Sequence, residues 1–233
     1  MNEPSIITET DDYFVINKPA GWGVEPPSHG DTILDWLTAN KKITKSDWPE
    51  DSRYGVVHRL DTDTSGVLLW AKNPAAQEKL KLLWQGRQVE KTYLALVIGE
   101  CEKEGTVELA LARDNKNDRQ KVVWVGEGRP AITTYKTIGT VTVGEKAVSL
   151  IEAHPITGRT HQIRVHMKAI EHPIIGDKLY GDKNTDRLAE SLGIKRQMLH
   201  AWKLKLPDTA EYSAILPADF SAALKLLHFY LEF

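Results

Sequence analysis

The stretch VVHRLDTDTSGVLLWAKN, Val56 to Asn73, decides how this 233-residue chain is interpreted. A histidine, an arginine and two carboxylates, Asp61 and Asp63, lead into a Thr-Ser-Gly turn. A continuous apolar run, Val67 to Ala71, follows at once and predicts a short buried strand. The pattern therefore indicates a charged loop on a core strand, and rigid scaffolds hold catalytic residues on such loops. The alternative is a surface turn in which Asp and Ser side chains cap backbone groups.

The rest of the chain mixes helical and β-type periodicity. Apolar spacing predicts helices at Thr32–Asn40, from Pro74 onward, and at Arg159–Ile170, Asp186–Leu192 and Ala218–Phe229. Strands are predicted at Ile6–Asn17, Val67–Ala71, Val89–Ile98, Gly105–Ala112, Lys121–Val125, Ile132–Thr142, Ala147–Ala153 and Gln197–Leu206. Because the helices are interspersed irregularly among many antiparallel strands, the predicted class is α+β and not a doubly wound sheet.

Composition narrows the class of protein. Hydrophobic residues make up 41% of the chain, and no segment approaches the apolar length of a membrane span. The first residues, MNEPSIITETDD, are acidic and polar, unlike a signal or transit peptide. A single cysteine, Cys101, excludes an intramolecular disulfide and a cysteine-based zinc cage. These features predict a cytoplasmic protein without membrane association.

Six segments, in order, resemble the motifs of the RluA-type pseudouridine synthases, RNA-modifying enzymes that convert uridine to its C-glycoside isomer. They are NKPAG (Asn17–Gly21), HRLDTDTSGVLL (His58–Leu69), EKTYLALVIG (Glu90–Gly99), HPITGRTHQIRVHM (His154–Met167), HPIIGDKLYG (His172–Gly181) and LHAWKLKL (Leu199–Leu206). One such segment is weak evidence, whereas six in the expected order are specific.

The resemblance implies a mixed, mainly antiparallel sheet with flanking helices and a central RNA-binding cleft. It also implies a single catalytic domain over residues 1–233, without a separate N-terminal RNA-binding domain because NKPAG begins at Asn17. A monomer is expected. No cofactor and no metal are expected, since the isomerisation has no redox step and the chain has no Walker loop, no GxGxxG before a helix and no zinc-type histidine spacing.

The reaction needs a carboxylate, and the resemblance assigns this role to Asp61. Covalent catalysis by a carboxylate divides one difficult step into two. Whether Asp61 attacks the ribose C1′ or abstracts a neighbouring proton stays open. Asp63 is the competing acid, because two residues two apart in an extended segment point to one face. Chemistry alone does not separate the two carboxylates.

Two further residues receive catalytic roles from the resemblance. An ionised carboxylate in a dry site needs a cation, and Arg164 is the matching residue, on a predicted helical stripe with His161 and Lys168. Tyr93 is expected to stack on the uracil and to help remove the C5 proton. The reference pKa of tyrosine, about 10, makes stacking the better-founded role. The alternatives are a solvated arginine and a core tyrosine.

The expected partner is RNA, with a tRNA or rRNA stem-loop as the target. The net charge of −2 is unusual for an RNA-binding protein, but basic residues concentrate in Arg113–Lys121 and Arg159–Lys168. The resemblance implies that Arg59 fills the space left by the flipped base. The RNA-binding candidates are His58, Arg59, Lys18, Arg113, Lys116, Arg119, Arg159 and His161. For His58 and Arg59, the alternatives are a backbone cap and a salt bridge.

Two other functions fit parts of the pattern. A retaining glycosidase or N-ribosyl hydrolase uses two acids across a sugar, whereas only one clear acid is present here. A non-catalytic RNA-binding module with the same fold is the second alternative, and the presence of Asp61, Tyr93 and Arg164 argues against it.

Overall fold

The computed structural model describes residues 3–28, 30–50, 52–114, 119–124 and 126–230. The contacts between residues divide the chain into two compact units. Unit 1 comprises Met1–Lys91 and Ala201–Ile215, and unit 2 comprises Thr92–His200 and Leu216–Phe233. The single catalytic domain predicted for residues 1–233 stays a prediction.

Unit 1 is built on antiparallel strands. β1 (Ser5–Glu9) and β2 (Tyr13–Lys18) form a hairpin, so the one strand region expected at Ile6–Asn17 is two strands. β3 (Ser65–Ala71) pairs with β2, and all seven of its residues are buried. The strand order continues from β3 to β9 (Leu199–Lys205), and the short β10 (Glu211–Ser213) pairs with β9.

The two α-helices in the described part of unit 1 start where their sequences provide caps. α1 (Ile33–Ala39) begins after Thr32, whose hydroxyl accepts a hydrogen bond from the Asp35 amide at 3.1 Å. α2 (Pro74–Gln85) has proline in its first turn, and the Asn73 side chain accepts from the Ala76 amide at 2.9 Å. Both predicted helices are confirmed.

Unit 2 is an antiparallel sheet with helices. Its strands are β4 (Glu90–Ile98), β5 (Glu104–Asp114), β6 (Arg119–Val123), β7 (Arg129–Val143) and β8 (Lys146–Pro155), in the order β4-β8-β7-β5-β6. Its helices are α3 (Gln162–Ala169), α4 (Lys183–Ser191) and α5 (Ala218–Leu226). Ile163 and Met167 of α3 pack with Ala95 and Val97 of β4 in a buried cluster.

The α+β class and the mainly antiparallel pairing are confirmed. Helix α3 begins later than the predicted Arg159, because His161 adopts a left-handed backbone conformation with φ of 54°. His161 therefore precedes the helix, and the predicted stripe of His161, Arg164 and Lys168 is wrong in its first member. Within the residues described above, no helix is both long enough and apolar enough to cross a membrane.

Candidate active site

The segment around Asp61 is a tight turn that another motif supports. The Thr64 amide donates to the Asp61 carbonyl at 3.0 Å, which closes the turn. The Thr62 carbonyl accepts from the Gly21 amide at 2.9 Å and from Lys18 Nζ at 2.9 Å. The NKPAG segment thus fixes the backbone of the HRLDTDTSG segment, and both lie in unit 1.

Lys18 is a buried structural residue. Its side chain is fully buried, and its ammonium also donates to the Trp22 carbonyl at 2.7 Å and to the Pro19 carbonyl at 3.1 Å. A charge removed from water in this way needs such acceptors. The expectation that Lys18 contacts RNA phosphates is therefore corrected: it holds the two motifs of unit 1 together.

The turn geometry separates the two candidate carboxylates. Asp61 is half-buried at the first position of the turn, whereas Asp63 is exposed at its third position. The expected extended segment with both side chains on one face is wrong, because the chain reverses between them. Of the two, only Asp61 is partly shielded from water, and this is the environment in which a catalytic carboxylate is useful.

His58 fixes the start of the same loop. Its Nε2 accepts from the Leu69 amide of β3 at 2.9 Å, and its ring stacks on Trp84 with centroids 4.6 Å apart. Burial, with a smaller contribution from nearby Lys91, lowers the pKa of His58 to about 3. The imidazole is neutral at physiological pH, so it brings no positive charge to RNA. His58 therefore accepts a backbone hydrogen bond, which is the capping role named as the alternative to RNA binding in the sequence analysis.

Arg59 points to solvent. Its side chain is 67% exposed, and its Nη1 lies 4.0 Å from Glu25 Oε1. Arg53 forms a closer ion pair with the same carboxylate, through Nε at 2.9 Å and Nη2. Because an exposed pair at 4.0 Å is weak, the Arg59 guanidinium can leave Glu25 at little cost when another anion or a cavity becomes available.

Tyr93 lies in unit 2, on β4 opposite Ala153 of β8. Its ring is half-buried and packs against the cluster that contains Ala95 and Met167. One part of the ring is therefore fixed by the core, while the rest is accessible. A ring that is held on one side and accessible on the other can stack on a base. The same position also fits the alternative, a tyrosine that belongs to the hydrophobic core.

Arg164 is bound in unit 2 by a carboxylate that sequence reasoning missed. Arg164 is 6% exposed, and its Nε and Nη2 donate to the two oxygens of Asp177 at 2.7 and 2.9 Å. Asp177 also accepts from the amides of Leu179 and Tyr180 at 3.0 and 3.1 Å. This bidentate geometry fixes the guanidinium plane. Asp177 lies in the HPIIGDKLYG segment, but its pairing with Arg164 is a tertiary contact that the segment does not reveal.

Tyr180 and His161 continue this network. The Tyr180 ring lies 5.1 Å from the Arg164 guanidinium carbon, and its hydroxyl is hydrogen-bonded to His161 Nδ1 at 2.9 Å. The same hydroxyl accepts from the Gln120 amide of β6 at 2.9 Å. Through Tyr180, His161 is therefore linked to the start of β6, and its predicted RNA contact stays a prediction.

The turn before α3 depends on Gln162, which the sequence did not single out. Its side-chain oxygen accepts from the Thr157 hydroxyl at 2.6 Å and from the Arg159 amide at 3.0 Å. Its amide nitrogen donates to the Ile132 carbonyl and the Thr133 hydroxyl, both at 2.9 Å. Arg159 Nε donates to the Pro130 carbonyl at 3.2 Å. The TGRTHQ segment is thus a rigid loop.

The other basic candidates lie on the β5–β6 hairpin. Arg113 is exposed on β5, and Arg119 on β6 lies 3.8 Å from the Asp114 carboxylate. Lys116 lies outside the described residues. Among the residues that the structure describes, no group of three or more His, Cys, Asp or Glu side chains is placed to hold a metal ion.

Comparisons with known proteins agree with this geometry. The family model described as RNA pseudouridylate synthase matches residues 12–169. Ribosomal large subunit pseudouridine synthase D of Nitrosomonas europaea is 39% identical over 95% of this chain and 64% of its own length. Ribosomal large subunit pseudouridine synthase C of Haemophilus influenzae is 34% identical, over 97% of this chain and 69% of its own length. The chain thus spans just under two thirds of the Nitrosomonas protein.

Solved structures give the same answer for the fold. Human RNA Pseudouridylate Synthase Domain Containing 4 matches with a TM-score of 0.75 and 27% identity, over 96% of this chain and 93% of that chain. Human RNA Pseudouridylate Synthase Domain Containing 1 matches with a TM-score of 0.72 and 28% identity, over 94% of this chain and 84% of that chain. Together with the curated relatives and the matched model, these likenesses show that the chain belongs to the RluA-type family of RNA pseudouridylate synthases.

Proposed function

We propose that this protein isomerises uridine to pseudouridine in structured RNA, with Asp61 as the catalytic carboxylate. The observation that carries the proposal is the family match over residues 12–169, which includes Asp61, Tyr93 and Arg164. The fixed turn at Asp61 supports it, because a catalytic group must be held in place by its surroundings. The relatives' names refer to ribosomal RNA, and we propose an rRNA or tRNA stem-loop as the substrate.

The reaction sets clear demands on the carboxylate. The N-glycosidic bond between N1 and C1′ breaks, the uracil turns, C5 bonds to C1′, and the C5 proton is lost while N1 gains one. Attack of Asp61 on C1′ and proton abstraction by Asp61 both require the ionised carboxylate. The half-buried position of Asp61 suits this role better than the exposed position of Asp63.

Arg164 supplies the cation that such a carboxylate requires. Its guanidinium is always charged, and Asp177 fixes its plane through two hydrogen bonds. Both residues are almost fully buried, so their bidentate ion pair holds the guanidinium in one orientation. In this proposal the sequence HPIIGDKLYG serves to orient the arginine of HPITGRTHQIRVHM.

Tyr93 and Arg59 act on the base. The accessible part of the Tyr93 ring stacks on the uracil, and its hydroxyl is the candidate for removal of the C5 proton. Arg59, which is 67% exposed and only weakly paired, occupies the space that the extruded uridine leaves in the RNA. We further propose that the protein works as a cytoplasmic monomer.

The test measures the product of the reaction. The protein is incubated with transcripts of large-subunit ribosomal RNA and with tRNA, both carrying tritium at uridine C5, and released tritium and nucleosides are measured. We expect tritium release together with an equal amount of pseudouridine. Free uracil without pseudouridine would identify a hydrolase instead, and RNA binding without either product would identify a non-catalytic module.

A further inference from the structure

One tryptophan of this chain is placed unlike the others. The chain has seven tryptophans, and six of them are buried or half-buried, whereas Trp124 is 82% exposed. Trp124 directly follows β6, and its neighbour on the same side of the strand, Val122, is also exposed at 38%. The exposed Trp124 ring presents a flat apolar face on which a partner can stack.

The backbone holds Trp124 in place. Its carbonyl accepts from the Glu127 amide at 3.0 Å, which closes a turn at the end of β6. Gly126 has a φ of 98°, in the left-handed region that favours glycine. At Gly128, a side chain would meet the Leu111 carbonyl oxygen at 2.7 Å, so the chain returns tightly along β5. The backbone of Trp124 is therefore held by its hydrogen bond to Glu127.

Positive charge accompanies this ring. β6 ends the strand order of unit 2, and its residues Arg119 and Lys121, with Lys168 of α3, line a cleft of about 330 Å³. The Tyr180 ring also lines the cleft. In a chain of net charge −2, the sequence from 113 to 129 contains five basic residues and three acidic ones: Arg113, Lys116, Arg119, Lys121 and Arg129 against Asp114, Asp118 and Glu127.

We propose that β6 and the adjacent Trp124 bind a single-stranded segment of RNA, with Trp124 stacked on a base other than the uridine that is modified. Lys121 lies three residues before Trp124, about 10 Å along the chain and on the opposite face of β6. Because β6 is the last strand in the order of the described sheet, an RNA segment that passes along this strand can contact both the cation and the ring. Stacking aromatics next to cations are the usual means of binding unpaired nucleotides. The proposal rests on the proposed function for its choice of RNA, and it names a surface that holds RNA away from the uridine that is modified.

The test uses probes that contain no uridine. Fluorescence anisotropy measures the affinity of the full chain for a fluorescein-labelled oligoadenylate dodecamer and for an abasic strand of the same length. We expect Trp124→Ala to weaken binding of oligoadenylate roughly 5- to 150-fold and to leave binding of the abasic strand unchanged. Trp124→Phe should retain most of the affinity. Tyr230→Ala, which removes another aromatic ring that is 79% exposed, serves as the matched control and should behave like the parent.

Salt dependence provides a second measurement. Lys121→Gln should reduce the slope of log affinity against log salt by about 0.7, whereas Trp124→Ala should leave that slope unchanged. The proposal is overturned if the parent binds the abasic strand as tightly as oligoadenylate, or if Trp124→Ala binds oligoadenylate like the parent. Tritium release is measured separately, so loss of the proposed isomerisation with intact stacking refutes only the proposed function.

Discussion

Replacing Lys18 by methionine tests whether this lysine holds the turn at Asp61. Met fills a similar volume but removes an ammonium that donates to the carbonyls of Pro19, Trp22 and Thr62. Hydrogen bonds to a charged group contribute about 1.5–3 kcal/mol each, and the cost of burying the charge offsets part of this. We expect a net loss of about 3–5 kcal/mol in the free energy of unfolding, or roughly 10 °C in Tm for a chain of this length.

The assay compares thermal unfolding, RNA binding and pseudouridine formation of Lys18→Met and Lys121→Met. Lys121 is an exposed cation, so its replacement should leave Tm within about 1–2 °C of the parent. Lys18→Met should lose stability and isomerase activity together, because the turn at Asp61 loses its support. An unchanged Tm with weaker, less salt-dependent RNA binding would show that Lys18 contacts phosphate and would refute the reasoning.

Three further predictions concern the other positioned side chains. Tyr93→Phe should bind substrate RNA as tightly as the parent, whereas Tyr93→Leu should lose roughly 1–3 kcal/mol of binding free energy because the stacking ring is gone. Full turnover by Tyr93→Phe would exclude a role for the hydroxyl. His58 has a pKa of about 3 in the native protein and about 6.5 in the unfolded chain, so protonation favours unfolding as pH falls from 6.5 towards 3. Tm should therefore fall over this pH range, and it should fall less steeply for His58→Gln. Equal slopes for the parent and His58→Gln would mean that His58 is not held neutral. Asp177→Asn should lower kcat about 100-fold, because the Arg164 guanidinium loses the carboxylate that orients it. The affinity for oligoadenylate should not change. A kcat equal to that of the parent would show that Asp177 does not position Arg164 for the reaction.

Local signals in the sequence were sufficient for much of the fold. The apolar run Val67–Ala71 predicted a buried strand, and β3 is buried at every residue. The helices predicted at Thr32–Asn40 and from Pro74 onward are α1 and α2. The start of α3 was predicted three residues too early, because the left-handed backbone of His161 is imposed by its surroundings and leaves no pattern in apolar spacing.

The site was less accessible to sequence reasoning, because its support is tertiary. A lysine is almost never fully buried, so its type alone predicts a surface role, and only the structure reveals that Lys18 holds the turn at Thr62. The pairing of Arg164 with Asp177 joins side chains of different motifs. The turn that separates Asp61 from Asp63 likewise depends on bonds from the NKPAG segment.

The central claim is that Asp61 is the catalytic carboxylate, and Asp61→Asn tests it most directly. The matched control is Asp63→Asn, the same change two residues away on an exposed side chain. Pseudouridine formation is measured under single-turnover conditions for both variants, after Tm has shown that both are folded. We predict that Asp61→Asn falls to the background of RNA alone while Asp63→Asn keeps the parent rate. A parent-like rate for Asp61→Asn, or loss of activity in Asp63→Asn alone, would contradict the account.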